Sequence, residues 1–317
     1  MKLNVLGNTG ITVSELCYGA LPLGPLQANL PLETGAGIIR YCLEQGVNFI
    51  DTAQAYGTYP YIRKALEGFG RPVVIASKSA AASYEEMRRA IDEARTALEH
   101  DVIDIFLLHA ARVTPDVFVE RKEALRCLCE AKAEDRIRAT GISTHAVDVV
   151  RAAADVPEID IVFPILNLTG IGILRGSAAD MESAIEYAAY KGKGVYIQKA
   201  LGGGHLADRF EEAIAYAISR PNVASVAVGM LSREEVDADI AAVEGRAVPE
   251  SARARLSKAN KRLVVQTQFC KGCRSCERVC PSSAIRVVDG KAVVDHRICV
   301  LCGYCNPVCP QFALRLV

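Results

Sequence analysis

The residue types best suited to chemistry in this 317-residue chain crowd into its last fifty positions, where CKGCRSCERVCP is followed by CVLCGYCNPVCP. Cys270, Cys273, Cys276 and Cys280 stand at the spacing Cys-x2-Cys-x2-Cys-x3-Cys. Cys299, Cys302, Cys305 and Cys309 repeat it 29 residues later, and Pro281 and Pro310 close the two runs. Thiolates at every third residue of a tight loop meet three corners of an iron–sulfur cube, and the fourth corner needs a distant ligand. The pattern predicts two 4Fe–4S clusters with crossed ligation: Cys270, Cys273, Cys276 and Cys309 for cluster I, and Cys299, Cys302, Cys305 and Cys280 for cluster II. Zinc, which takes four ligands from paired Cys-x2-Cys units, and a disulfide framework, which needs an oxidising compartment, are the rival readings; the doubled Cys-Pro spacing suits neither.

Between the runs, AIRVVDGKAVVD alternates apolar residues around Asp289-Gly290, a dipeptide favoured in tight hairpins. From about Val264 to Val317 the segment resembles the bacterial two-cluster ferredoxins. Its seven Lys/Arg and three Asp/Glu make it +4 within a chain of net charge zero. Two oxidised clusters, each with about two negative charges, would bring it near neutrality. That suits a module docked on its own chain better than a free, strongly acidic shuttle.

The rest of the chain must supply whatever this module serves. Half its residues are hydrophobic, enough for one large core and a small satellite. No leader pattern opens the chain and no run of eighteen apolar residues occurs, so a cytoplasmic protein without membrane or nucleic-acid partners is expected. Residues 3–14 read as a hairpin around Gly7-Asn8-Thr9-Gly10 that could plug one end of a larger sheet. Strand-like runs at 16–20, 47–51, 73–77, 102–109, 137–143, 159–166, 194–198 and 225–230 then alternate with helical stretches at 33–45, 60–69, 83–99, 115–133, 146–154, 178–190, 207–219 and 232–243. Eight such units predict a closed (β/α)8 TIM barrel over residues 1–262, with the small α+β ferredoxin-like domain over 263–317. A doubly wound sheet would need GxGxxG after an early strand, and none is there. Gly202-Gly203-Gly204 follows the seventh strand, where barrels commonly hold phosphate. A further helix is expected over 249–262. Cys17, Cys42, Cys127 and Cys129, outside the runs, read as buried thiols.

Barrel chemistry is built where strands end. Asp51 ends the second strand with Tyr56 five residues on, Lys78 ends the third and His109 the fourth. A tyrosine hydroxyl, whose ordinary pKa is about 10, exchanges a proton usefully only beside a cation that stabilises the phenolate. Lys78 is placed to be that cation, Asp51 to hold it and His109 to orient a carbonyl oxygen. The stretches LGNTGITVSELCYG, NFIDTAQAYG, IASK, DIFLLH and GIS resemble, in order, the aldo-keto reductase family over about residues 1–245.

That resemblance implies a catalytic tetrad of Asp51, Tyr56, Lys78 and His109, and hydride transfer from the reduced form of NADP or NAD to a small aldehyde or ketone. It also marks Ser143 as a partner of the nicotinamide carboxamide, and Gly229 with Ser232 and Arg233 at the adenosine end. Departures are equally informative. Phe163 stands where Gln is common, Gln198 followed by Lys199 stands where an aromatic ring stacks on the nicotinamide, and Glu235 lies where a 2′-phosphate would want a cation.

Three functions follow. The first is a nicotinamide-dependent carbonyl reductase whose fused clusters carry electrons, with a redox partner protein. The second is a nicotinamide-independent reductase fed single electrons by the clusters, and the third is a redox- or iron-sensing binding protein.

Overall fold

The computed structural model describes residues 1–256, 262–311 and 313–316. A two-stranded hairpin, β1 (Leu3–Val5) and β2 (Thr12–Ser14), opens the chain. Eight parallel strands then close into a barrel: β3 (Leu16–Gly19), β4 (Phe49–Asp51), β5 (Val74–Ser79), β6 (Ile103–His109), β7 (Ile137–Thr144), β8 (Ile161–Pro164), β9 (Gly194–Gln198) and β10 (Ser225–Val228), with β10 pairing back onto β3. The sheet is the expected one, strand by strand.

The interior is filled by side chains that alternate inward. Cys17, Phe49, Ala76, Ile105, Leu107, Ala139, Ile161, Phe163, Tyr196 and Ala227 form one buried cluster with Leu6, Ile11 and Val13 of the hairpin. The hairpin therefore corks the N-terminal end, as its position predicts. Leu6 and Ile11 are fully buried there, worth about 1.5–3 kcal/mol each. Gly7, at φ 51°, lies so close to Gly192–Gly194 that a Cβ would overlap their backbone.

The helices form the outer ring: α1 (Leu32–Glu44), α2 (Tyr59–Leu66), α3 (Tyr84–Leu98), α4 (Val117–Glu120), α5 (Lys122–Ala133), α6 (Val147–Ala154), α7 (Ala178–Tyr190), α8 (Phe210–Ile218) and α9 (Arg233–Val243). Capping boxes begin two of them, Ser83 with Glu86 on α3 and Ser177 with Asp180 on α7. The single helix expected over 115–133 is broken at Arg121, which leaves helical angles and sends its guanidinium to the His109 carbonyl at 3.2 Å. The helix expected from 207 starts as a 3-10 turn, Ala207–Arg209, before α8. The helix expected over 249–262 is seen as α10 (Glu250–Leu256); its continuation over 257–261 lies outside the described residues.

Beyond it, β11 (Leu263–Val265) pairs with β14 (Leu314–Leu316), α11 (Ser275–Val279) follows the first cysteine run, and β12 (Ile285–Val288) pairs with β13 (Lys291–Val294). The turn between the last two is Asp289-Gly290, both at positive φ (49° and 73°), which matches the paired left-handed residues of a type I′ turn.

Candidate functional site

At the C-terminal end of the barrel, Asp51, Tyr56, Lys78 and His109 come together. Lys78 Nζ donates to Asp51 Oδ1 at 2.6 Å and to the Thr52 carbonyl at 2.6 Å, and Tyr196 donates its hydroxyl to Asp51 Oδ2 at 3.1 Å. The Lys78 ammonium also lies 4.9 Å from the Tyr56 ring centroid and 5.2 Å from that of Phe163. Phe163 in turn stacks on Tyr196 at 3.8 Å. Burial pushes the Asp51 carboxyl up and the Lys78 ammonium down, while each partner pulls the other back toward its charged form. Burial raises the Tyr56 hydroxyl well above its ordinary value, reinforced by the neighbouring Tyr304 and by Asp51. His109 is driven well below its ordinary value by burial and then by Lys78, so its imidazole is neutral. The Tyr56 and His109 rings meet edge to face at 5.8 Å.

A cavity of about 470 Å³ runs away from this cluster. Asp51, Tyr56, Phe163, Gln198, Lys199, Gly229, Glu235 and Asp239 are among the residues that line it. Of the positions singled out for a nicotinamide cofactor, Gln198, Lys199 and Gly229 therefore face the cavity, whereas Ser143, Ser232 and Arg233 do not line it. Ser143 is buried beneath Gln198, which donates to its hydroxyl at 3.1 Å and to the Phe163 carbonyl at 3.2 Å. Ser232 caps α9 by accepting from Glu235 N at 3.2 Å, and Arg233 lies over the Tyr41 ring. Lys199 sits in the left-handed region at φ 59°, and burial lowers its ammonium against the pull of Cys302, Asp51 and Cys299. Asp239 is buried with Oδ1 unpartnered, and burial raises its carboxyl well above the usual range.

The eight cysteines ring two hollows. One is lined by Cys270, Cys273, Cys276 and Cys309, the other by Cys280, Cys299, Cys302 and Cys305. Backbone N–H groups point at the sulfurs: Ala292 at Cys270 (3.3 Å), Ala284 at Cys280 (3.2 Å) and Ala313 at Cys309 (3.3 Å). Among the described residues no three His, Cys, Asp or Glu are gathered to hold a single metal ion. Four thiols around each hollow, with amides aimed at sulfur, suit the donor set of a 4Fe–4S cube.

The second hollow adjoins the barrel mouth. Gln27 donates to the Leu301 carbonyl at 3.2 Å, Arg112 to the Cys280 carbonyl at 3.0 Å and His205 Nε2 to the Cys299 carbonyl at 2.6 Å. Val300 and Leu301 form part of the wall of the 470 Å³ cavity. From the same loop Tyr304 enters the cluster of Tyr56 and His109, a residue the sequence reading passed over. The signal was present: the second run carries Val300-Leu301 and Gly303-Tyr304 where the first has Lys271-Gly272 and Arg274-Ser275, so only one run offers an apolar surface to pack against another unit. Tyr196, the partner of Asp51, was also missed; it reads as an ordinary inward-facing strand residue.

A strand-end cluster of a buried acid, lysine, tyrosine and histidine beside a cavity in a closed barrel is the architecture of a barrel oxidoreductase. The aldo/keto reductase family matches residues 15–213, and a 4Fe-4S dicluster domain matches residues 269–313. The chain belongs to the aldo/keto reductase family and is an oxidoreductase with a dicluster domain. It is 26% identical over 286 residues to L-galactose dehydrogenase of Arabidopsis thaliana, spanning 77% of this chain and 88% of that protein. A structure from Pseudomonas aeruginosa assigned to the aldo-keto reductases is 27% identical with a TM-score of 0.66, over 77% of this chain and 94% of that one. The holo form of an aldo-keto reductase from Bacillus halodurans shares the fold, with a TM-score of 0.66 at 23% identity over 81% of this chain and 96% of that one. No helix among the described residues is long and apolar enough to cross a membrane.

Proposed function

We propose that the chain reduces a small aldehyde or ketone at Asp51, Tyr56, Lys78 and His109 with a nicotinamide cofactor. The observation that carries this reading is the buried Lys78–Asp51 pair set against the Tyr56 ring, with Asp51 and Tyr56 both lining the 470 Å³ cavity. Nicotinamide, when bound, supplies hydride. Gln198, Lys199, Gly229 and Glu235 would line its site, and Glu235, which stands where a 2′-phosphate would want a cation, favours a ribose hydroxyl over a 2′-phosphate, hence NAD over NADP. Tyr56 Oη would give its proton to the substrate oxygen, the phenolate being stabilised by the Lys78 charge below the ring. Neutral His109 would hold that oxygen in place. The cysteines would hold two clusters in the crossed pattern, with Cys309 completing cluster I and Cys280 completing cluster II, and the chain would divide at 262/263. The dehydrogenase name of the Arabidopsis thaliana relative fits the same exchange between carbonyl and hydroxyl, run in the opposite direction.

The wall that Val300 and Leu301 give the cavity favours a second reading, in which cluster II feeds electrons to the substrate singly and Tyr56 supplies protons. Anaerobic titration of cluster-loaded protein with NADH and NADPH, followed by nicotinamide fluorescence and visible absorbance, separates the two. The first reading expects binding, tighter for NADH. Absence of binding up to millimolar concentration, together with dithionite-driven turnover, sinks it in favour of the second.

A further inference from the structure

Tyr304 belongs to the loop Cys302-Gly303-Tyr304-Cys305, so its backbone is fixed between two thiols of the second hollow. Its side chain nonetheless lies in the barrel. The hydroxyl shares a 3.3 Å hydrogen bond with His109 Nε2, and the ring centroid is 6.5 Å from that of Tyr56 and 6.1 Å from that of His109. Leu21, Leu26, Ala53 and Tyr56 enclose it in one apolar cluster. The approach is close enough that a Cβ on Gly303 would overlap the Leu26 carbonyl, and Gly303, at φ 82°, is the residue that permits the turn. A phenol oxygen held against His109 and beside Tyr56 stands where a substrate carbonyl oxygen would have to stand to meet the same two groups.

We propose that Tyr304 is an internal occupant of the oxygen-binding position, so that the cluster II loop sets access to the reaction centre and a substrate must displace the phenol to bind. The proposal rests on the reading of Tyr56 and His109 as the groups that receive the substrate oxygen. Its energetic content is simple: if the phenol sits in place most of the time, apparent affinity is reduced by the fraction of molecules in which it is withdrawn. The barrel's grips on the Leu301 and Cys299 carbonyls hold this loop in place, and Arg112 on the Cys280 carbonyl holds the other wall of the second hollow. Anything that loosens the second hollow therefore also opens the site.

The test uses full-length, cluster-loaded protein and 4-nitrobenzoate, a non-reacting oxygen ligand whose binding is read by equilibrium dialysis and needs no turnover. Tyr304→Ala, which removes ring and hydroxyl, should bind the probe at least tenfold more tightly than the parent. Tyr304→Phe, which keeps the ring and loses only the hydrogen bond to His109, should gain two- to threefold. Adding Tyr56→Phe to Tyr304→Ala should cancel most of the gain. Iron content and visible absorbance unchanged from the parent show that each variant is folded and loaded. Equal affinity in parent and Tyr304→Ala, or weaker binding in Tyr304→Ala, overturns the proposal, since Tyr304 would then be inert or would itself help bind the ligand. Failure of the carbonyl-reductase reading is separately visible: Tyr304→Ala would gain affinity yet turn over no aldehyde or ketone with either nicotinamide.

Discussion

At the scale of single residues, the barrel mouth concentrates ionisable groups in a buried environment and sorts them by what each can share. Lys78 and Asp51 keep charge because they have each other, 2.6 Å apart; removing one partner of such a pair typically costs about 3–5 kcal/mol. His109 and His145 have no acid partner, so burial and nearby cations hold both below the ordinary histidine range. His145, just past β7, is 3% exposed with Nδ1 unpartnered, and burial followed by Lys199 lowers it to about 3. An unfolded histidine titrates near 6.5, so below that pH the unfolded chain binds a proton that the folded chain refuses. This contribution to stability is therefore complete above pH 6.5 and lost as pH falls toward 3, at about 1.4 kcal/mol per pH unit. His145→Gln should flatten the acid limb of denaturant-melt stability by about that slope between pH 6 and pH 4.5. An unchanged slope would mean that His145 takes up its proton inside the fold.

At the scale of elements, the strand order and the placing of Asp51, Lys78 and His109 were legible because short β-rich runs and helical stretches alternate from residue 16 to residue 243. The ligand quartets were legible because a cube fixes its own spacing. What could not be read locally is anything made by two distant segments. The break at Arg121 depends on reaching the His109 carbonyl, and the entry of Tyr304 depends on loops at 26–27, 112 and 203–205 that lie 100 to 280 residues away in sequence. The offsets of Ser232 and Arg233 from the cavity turn on a helix start, where one residue changes the face. Gly203 illustrates the second kind of information. It has φ 76°, and a Cβ there would overlap the Val300 carbonyl, so Gly203→Ala adds about 1–2 kcal/mol of left-handed strain to a collision with the cluster II loop. The expected outcome is faster hydrogen–deuterium exchange over residues 299–305 and loss of iron from eight toward four per chain under mild oxidation. Barrel peptides from residues 103–144 should exchange as before. Loss of protection across the barrel as well would mean that the glycine serves the fold and not the docking.

At the scale of the whole molecule, the two cysteine hollows face different surroundings, and this difference predicts a direction for electron flow. All four cysteines of the second hollow are buried, whereas Cys273 of the first is exposed. Around Cys273 stand exposed Lys271, Arg274 and Arg278, with Phe269 half-exposed at 51%. A basic rim around an apolar residue at the one exposed ligand is the surface an acidic one-electron carrier would find by electrostatic steering, and steering falls with ionic strength because the Debye length shrinks from about 10 Å at 0.1 M to about 3 Å at 1 M. Electrons would then enter at the first hollow and leave at the second, beside Val300, Leu301 and the cavity. Stopped-flow reduction of the loaded protein by a reduced, acidic 2Fe–2S ferredoxin should slow about tenfold or more at low salt when Lys271, Arg274 and Arg278 are all changed to Glu. Parent and variant rates should converge as salt is raised, because what the substitutions remove is long-range attraction and not the path between the hollows. Equal rates at low salt, or a difference that persists at 1 M, would place the point of entry elsewhere on the module and return the basic rim to a solvated surface.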